Sequence, residues 1–318
     1  MRRIGWMAVL ATAWLALLPA ARAERLTLAV GQRGNWDTSV AELGQRAGIF
    51  KKHDLELDLL YTAGGAETQQ AVLSRSADIG VAVGTLGVLG VAAKGAPIRI
   101  ISGEMTGATD LYWYVPAASP VHSVNDLAGR TVGFSTVGSS SDSVVLMAQA
   151  QYGVTFQLTA TGGLPGTFTQ VMSGQVDAGW ASAPFGVDGL QDGKIRAVFR
   201  GGDIKAAQDQ TVRVLITHAA TLASKKAAIT RFMQAYRETL GYMYDSPDAI
   251  QAYAAFAGVA PEIAQRTRDQ YFPKAALDPG QISGLDAMMA DGVRFKFLSA
   301  PLSPAQLKQV VAIDEVKP

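Results

Sequence analysis

"LELDLLYTAGGAETQQAVLSRSADIGVAVG", Leu55 to Gly84, decides the fold. Residues 55–61 and 77–84 are short apolar runs of strand character, and 66–74 between them reads as a short helix. A strand that returns through a helix lies parallel to the one it left, with the helix packed on the sheet. Upstream, "RLTLAV" (25–30) is a further strand ending at Gly31, and "TSVAELGQRAGIF" (38–50) sets Val40, Leu43 and Ala47 on one helical face. Downstream, 85–95 predicts a helix closed by Gly95, and 98–102 a strand.

The alternation restarts with "LYWYVP" (111–116), a strand stopped by proline. A strand at 131–135, a helix from Ser140 to Gln151 and strand-like runs at 156–160, 176–182 and 195–199 follow. After "TVRVLITH" (211–218) the chain turns helical, with Ile229, Phe232, Met233, Tyr236 and Leu240 at helical spacing. Pro247 opens the next helix, which runs to Gly258. The expected fold class is α/β with two lobes, each a mostly parallel sheet flanked by helices. Residues 24–107 begin lobe one, 108–206 form lobe two, and 207–318 return to lobe one with C-terminal helices. Two crossovers, near 108–113 and 205–213, make a hinge.

The first 23 residues carry Arg2 and Arg3, an apolar stretch from Ile4 to Leu18, and "ARA" at 21–23. That pattern predicts a signal peptide cut before Glu24 and a periplasmic product. No cysteine is present, so neither a lipoprotein anchor nor a disulfide is expected. Removing Arg2, Arg3 and Arg22 lowers Lys+Arg from 28 to 25 against 27 Asp+Glu, a formal charge of −2. Such a balance speaks against nucleic acid or an anionic membrane as the main partner. Thiol chemistry is excluded; the three histidines, His53, His122 and His218, stand in no metal-binding spacing, and no "GxSxG" elbow occurs. No cofactor, metal site or enzymatic activity is expected from this inventory.

Three segments together resemble the nitrate, sulfonate, taurine and thiamine-precursor (NMT1/THI5-like) branch of periplasmic solute-binding proteins. "AGIFKKHDLELDLLYTAGGAETQQAVLSRSADIGV" (47–81) supplies Gly48, Phe50, Leu55, Asp78 and Gly80, although Arg75-Ser76 replaces the usual glycine. "PVHSVNDLAGRTVGFSTVGSS" (120–140) and "VMSGQVDAGWASAPF" (171–185) follow in the family's order. The resemblance implies a type II two-lobed protein, monomeric, that closes on a small-molecule ligand and docks to the membrane permease of an ABC importer. A thiamine-precursor or pyrimidine binder is the alternative, with a small-molecule enzyme of the same fold behind it.

Ligands of open α/β sheets sit beyond the carboxyl ends of the strands, which selects the loops. "GQRGNWD" (31–37) offers Arg33 for an anion, Asn35 as a polar partner and Trp36 for stacking. "VGTLG" (83–87) offers Gly84 and Thr85, the latter a helix cap or a ligand donor. "STVGSSSDSVV" (135–145) offers Thr136, Gly138, Ser139 and Ser140 at a helix start suited to an anion. Through the resemblance this is the acidic head-group position. Self-capping is the competing reading, and Asp142 divides the two: capping the helix, it favours a neutral or amphoteric ligand. "TGGLPGT" and "WASAPF" add Gly163, Trp180 and Pro184, with Pro184 expected to open a helix. Trp36, Trp113 and Trp180 together favour a planar or apolar ligand body over a bare ion. The expected ligand is thus a small organic anion, a sulfonate or carboxylate, with aromatic acids included.

Overall fold

The computed structural model describes residues 23–317, so the signal-peptide expectation lies almost wholly outside the described residues. Among these, no helix is long and apolar enough to cross a membrane. The first sheet begins with β1 (Glu24–Gly31), followed by α1 (Val40–Arg46) and α2 (Ile49–Lys52). The single helix expected over 38–50 is divided there, because Gly48 takes a left-handed φ of 72°. Then come β2 (Leu55–Thr62), α3 (Gly65–Leu73), β3 (Ile79–Gly84), α4 (Thr85–Ala93) and β4 (Ile98–Thr106). β1 runs parallel to β2, Glu24 opposite Leu55 and Gly31 opposite Thr62, and parallel to β3 on its other edge. Leu26, Leu28, Ala29 and Val30 are all buried, as a central strand covered on both faces requires.

The second sheet takes β5 (Leu111–Pro116), β6 (Thr131–Phe134), α5 (Ser140–Tyr152), β7 (Gln157–Ala160), α6 (Leu164–Met172), β8 (Gly179–Ser182), α7 (Val187–Gln191) and β9 (Ile195–Arg200). β6 and β7 are parallel; β5 runs antiparallel to both β8 and β9. A parallel bridge from Val132 to Ala178 joins the two groups in the order β7-β6-β8-β5-β9. After α8 (Lys205–Gln208) the chain re-enters the first sheet as β10 (Thr211–His218), antiparallel between β3 and β4, giving β2-β1-β3-β10-β4.

The two lobes therefore repeat one topology. Each is mostly parallel, with a single antiparallel strand supplied by the chain arriving from the other lobe. The reason is geometric: the parallel strands end at the cleft, and a strand that enters from the cleft must run away from it.

The remaining helices are α9 (Ala219–Asp245), α10 (Pro247–Ala257), α11 (Pro261–Arg266), α12 (Leu285–Arg294) and α13 (Pro304–Val310). α9 covers the first lobe, with Phe232 stacked on Phe50 of α2 at 5.5 Å between ring centres. Its contact with α1 is close at Gly44, where a Cβ would stand 2.3 Å from Thr239 Oγ1 and 2.6 Å from Phe50 Cε2. Gly44→Ala should therefore force α1 off α9. An overpacking loss of about 1–3 kcal/mol is expected in urea denaturation, with the far-ultraviolet spectrum unchanged.

Candidate functional site

The loops after β1, β2 and β6, with residues of β3, β5, β8 and β10, converge between the lobes around a small cavity of about 30 Å³. Its floor is Arg213, near the start of β10 and 5% exposed. The guanidinium holds Asp110 through both nitrogens, Nη2 to Oδ1 at 2.8 Å and Nη1 to Oδ2 at 3.1 Å. Its Nε lies 2.9 Å from Asp37 Oδ2, an ion pair whose alignment leaves both atoms without a hydrogen bond. Nη1 also reaches Ser140 Oγ at 3.4 Å. Asp110 accepts a third hydrogen bond from Ser182 Oγ at 2.7 Å, and Ser182 accepts from Asn35 Nδ2 at 3.0 Å. One network thus joins the loop after β1, the first crossover, α5, the end of β8 and β10.

The network sets one guanidinium against two carboxylates. Burial alone would lower the Arg213 guanidinium, but Asp110 and Asp37 beside it raise it, so it stays charged. Burial raises Asp37 to about 6 against the opposing pull of Arg213. Glu104, on β4 behind the cavity, is pushed well above the carboxylate range by burial and then by the charge of Asp37. Its Oε2 accepts from the Ala82 amide at 2.6 Å.

Two helix starts face the cavity from opposite lobes: α3 at Gly65 and α5 at Ser140. First-turn amides have no acceptor inside their own helix, and the aligned peptide dipoles place partial positive charge there. In α5, Ser139 is the cap, its Oγ accepting from the Asp142 amide at 3.2 Å. Asp142 turns back and accepts from Gly138 N at 2.8 Å. In α3, Glu67 does the same, accepting from Ala63 N at 2.9 Å. Ser141 is occupied by the Ser135 amide at 2.9 Å. Most of the serine run therefore caps its own loop, and Ser140 is the member that turns to Arg213.

The other candidates separate. Asn35, Ser139, Ser140 and Trp180 line the cavity, and the Trp180 indole N–H is buried without a hydrogen-bond partner. Thr136 reaches across the lobes, its Oγ1 accepting from Ala66 N at 3.4 Å. Gly163 faces Gln32 Oε1 and Ala63 O of lobe one, 3.8 Å from where its Cβ would be. Gly84 and Gly138 form a direct contact between lobes: a Cβ on Gly84, or on Gly87 one helical turn further, would lie 2.3 Å from the Gly138 carbonyl.

Four expectations are corrected. Trp36 is fully buried against Tyr253 and Tyr244, with ring centres 4.8 and 5.6 Å away, and stacks on no ligand. Arg33 points outward over the Phe256 ring at 4.3 Å, because the cavity side of its loop is taken by Asn35 and Asp37. Thr85 neither caps α4 nor lines the cavity; its hydroxyl donates to Thr211 O at 2.5 Å. Pro184 opens no helix: the chain turns at 183–186 and α7 starts at Val187. Trp113 also lies in the core, stacked on Phe199 at 4.6 Å. The residues that sequence reasoning missed are Asp37, Asp110, Ser182 and Arg213. One signal was available, a lone arginine inside the apolar strand "TVRVLITH". Among the described residues no group of three or more His, Cys, Asp or Glu is placed to hold a metal.

Two outcomes are expected. Gly87→Ala overpacks the interlobe contact by about 1–3 kcal/mol, weakening any cleft ligand by about 10- to 100-fold. Small-angle scattering at ligand excess should give a larger radius than the wild type. Asp142 titrates near 6 in the folded protein, raised by burial, against about 3.9 unfolded. The folded state then holds more protons between those values, so stability falls as pH rises through that window. Asp142→Asn keeps an acceptor for Gly138 and removes that fall. Between pH 4 and 7.5 the variant should gain about 2–3 kcal/mol on the wild type in urea denaturation.

Solved structures share this architecture. The alkanesulfonate-binding protein SsuA from Xanthomonas axonopodis pv. citri, bound to MOPS, is 17% identical, with a TM-score of 0.73 over 92% of this chain and 99% of its own. A conserved Candida albicans gene product with the generic periplasmic binding protein fold is also 17% identical, with a TM-score of 0.73 over 91% of this chain and 96% of its own. The desulfurization enzyme DSZB is 15% identical, with a TM-score of 0.62 over 92% of this chain and 97% of its own. At such identities the likeness is one of fold. No curated protein matches in sequence. The family described as NMT1/THI5 like matches residues 40–250, most of the chain and all of the cavity from Gly64 to Arg213. By that match this chain belongs to the NMT1/THI5-like family.

Proposed function

We propose that the protein is an extracytoplasmic solute-binding protein that closes its lobes on a small organic solute and delivers it to an ABC importer permease. The observation that carries this reading is the meeting of two helix starts, α3 and α5, from opposite lobes over one buried arginine. A ligand touching both starts stabilises the closed form by its differential affinity. The chemistry offered is that of an oxyanion: first-turn amides, the unpaired Trp180 N–H and the Ser140 hydroxyl. A sulfonate or carboxylate head fits these donors. The sulfonate named with the Xanthomonas SsuA structure supports the same class. Asp37 moderates the charge, since a carboxyl poised near 6 takes up a proton when an anion arrives beside it.

The fold shared with DSZB favours no enzymatic reading. The cavity hydroxyls of Ser139, Ser141 and Ser182 are engaged in the network above, while His53 pairs with Glu238 and His218 caps α9.

Thermal unfolding with a panel of small sulfonates, carboxylates, nitrate and pyrimidines tests the proposal. Sulfonates or carboxylates should raise the transition, by about 2.7 kcal/mol at a hundredfold excess over Kd. Tryptophan emission should change on binding in the wild type, Trp36→Phe and Trp113→Phe, and lose that response in Trp180→Phe. A panel in which only pyrimidines or nitrate stabilise the protein would refute the organic-anion head.

A further inference from the structure

A second chamber, about 760 Å³ in volume, lies beside the polar cavity. Its walls come from both lobes: Pro165 and Phe168 of α6, Pro184 and Phe185 after β8, and Val259 and Ile263 from the α10–α11 corner. Phe168 and Phe185 meet edge to face with ring centres 6.0 Å apart. The size falls within the range of small-molecule sites, and the lining is that of an apolar ligand. Two charged groups, Lys194 and Asp188, stand at its rim. Lys194 Nζ lies 3.1 Å from Asp192, and Asp188 Oδ1 accepts from Gly189 N at 2.8 Å.

The chamber and the polar cavity share a wall. Gly34 and Asn35 lie in one loop; Asn35 faces the cavity and bonds Ser182 across it. Gly34 backs onto α10, with its carbonyl accepting from Tyr253 OH at 2.9 Å and its Cβ position 3.9 Å from Ala257. The next residues along, Gly258 and Val259, line the chamber. On the lobe-two side, Ser182 bounds the cavity and Pro184, two residues later, bounds the chamber.

We infer that this chamber is a subsite for an uncharged apolar group, an aromatic ring or branched alkyl body, so that the solute is an amphiphile whose head enters the polar cavity. The inference rests on the head-group reading above only for the identity of the head. No cation or anion is selected at the chamber, because its lining is mostly apolar. Phe168 and Phe185 offer ring edges and faces, and an occupant touching both lobes there favours closure as the head does.

The test uses the purified protein and N-phenyl-1-naphthylamine, an uncharged probe whose emission rises in apolar surroundings. Saturable enhancement is expected, lost in Ala260→Trp, which fills the mouth from an exposed position, and in Val259→Asp. Circular dichroism checks that both variants keep the fold. By calorimetry, naphthalene-2-sulfonate should bind the wild type more tightly than methanesulfonate, and Ala260→Trp should remove the difference. If neither sulfonate binds while the probe saturates and both variants abolish it, the head-group reading fails and the apolar subsite stands. If the probe does not saturate, or binds Ala260→Trp and Val259→Asp as well as the wild type, the subsite is refuted whatever the sulfonates do.

Discussion

The pairing of Arg213 is the constraint on which the rest depends. A guanidinium 5% exposed cannot remain in a lobe interface unpaired, because the desolvation cost of a lone buried charge is several kcal/mol. Asp110 and Asp37 meet that need from two places: the crossover leading into lobe two, and the loop after the first strand of lobe one. Arg213 itself sits just past the second crossover, two residues into β10. The ion pair therefore fastens both crossovers to one point. Ser182 and Asn35 extend the same chain of hydrogen bonds from Asp110 across the cleft, so lobe orientation and cavity floor are set by one network.

Around that fixed point the two lobes are copies of one design. β2-β1-β3-β10-β4 and β7-β6-β8-β5-β9 are the same strand order, and each antiparallel member is the strand that has just crossed. The copy extends to the helix starts. Glu67 in α3 and Asp142 in α5 are each the third helical residue, and each turns back to the amide before its helix cap. Bare backbone closes the interface elsewhere, with Gly84 and Gly87 against the Gly138 carbonyl. Side chains there would keep the lobes apart, so this contact depends on three glycines.

Much of this was legible in the sequence, and the failures have a physical cause. Strand and helix periodicities are local, so 111–116, the helix from Ser140 and the helix from Pro247 to Gly258 were readable from spacing and terminators. The helix start at 135–145 was placed at the cleft because it follows a strand. Arg213 escaped because its meaning is not local. Its partners lie 103 residues away at Asp110 and in the first loop at Asp37, and a single arginine in a strand otherwise reads as an edge residue. Arg33 was chosen in its place because it stands in the correct loop. That loop bends at Gln32 and Gly34, both at positive φ, so Asn35 and Asp37 come to the cavity side and Arg33 lies over Phe256. The tryptophans failed for a similar reason: Trp36 and Trp113 are large enough to be worth more in the lobe cores than in a wet cleft.

The serine run is largely committed to its own loop, which limits what it can offer the proposed solute. Ser139 caps α5, Ser141 holds the Ser135 amide, and Asp142 takes the Gly138 amide, so three of the polar side chains are committed before a ligand arrives. What remains for a solute is mostly backbone N–H, the Ser140 hydroxyl and the Trp180 indole. Backbone donors at two helix starts discriminate poorly among compact oxyanions, since any of them can accept such bonds. The acids that close both helix starts weaken the attraction for a full anion. Discrimination then falls to what the rest of the solute meets beyond Asn35 and Ser182. A floor of one arginine and two aspartates has no net positive charge, so for the proposed solute shape has to supply the recognition that charge does not.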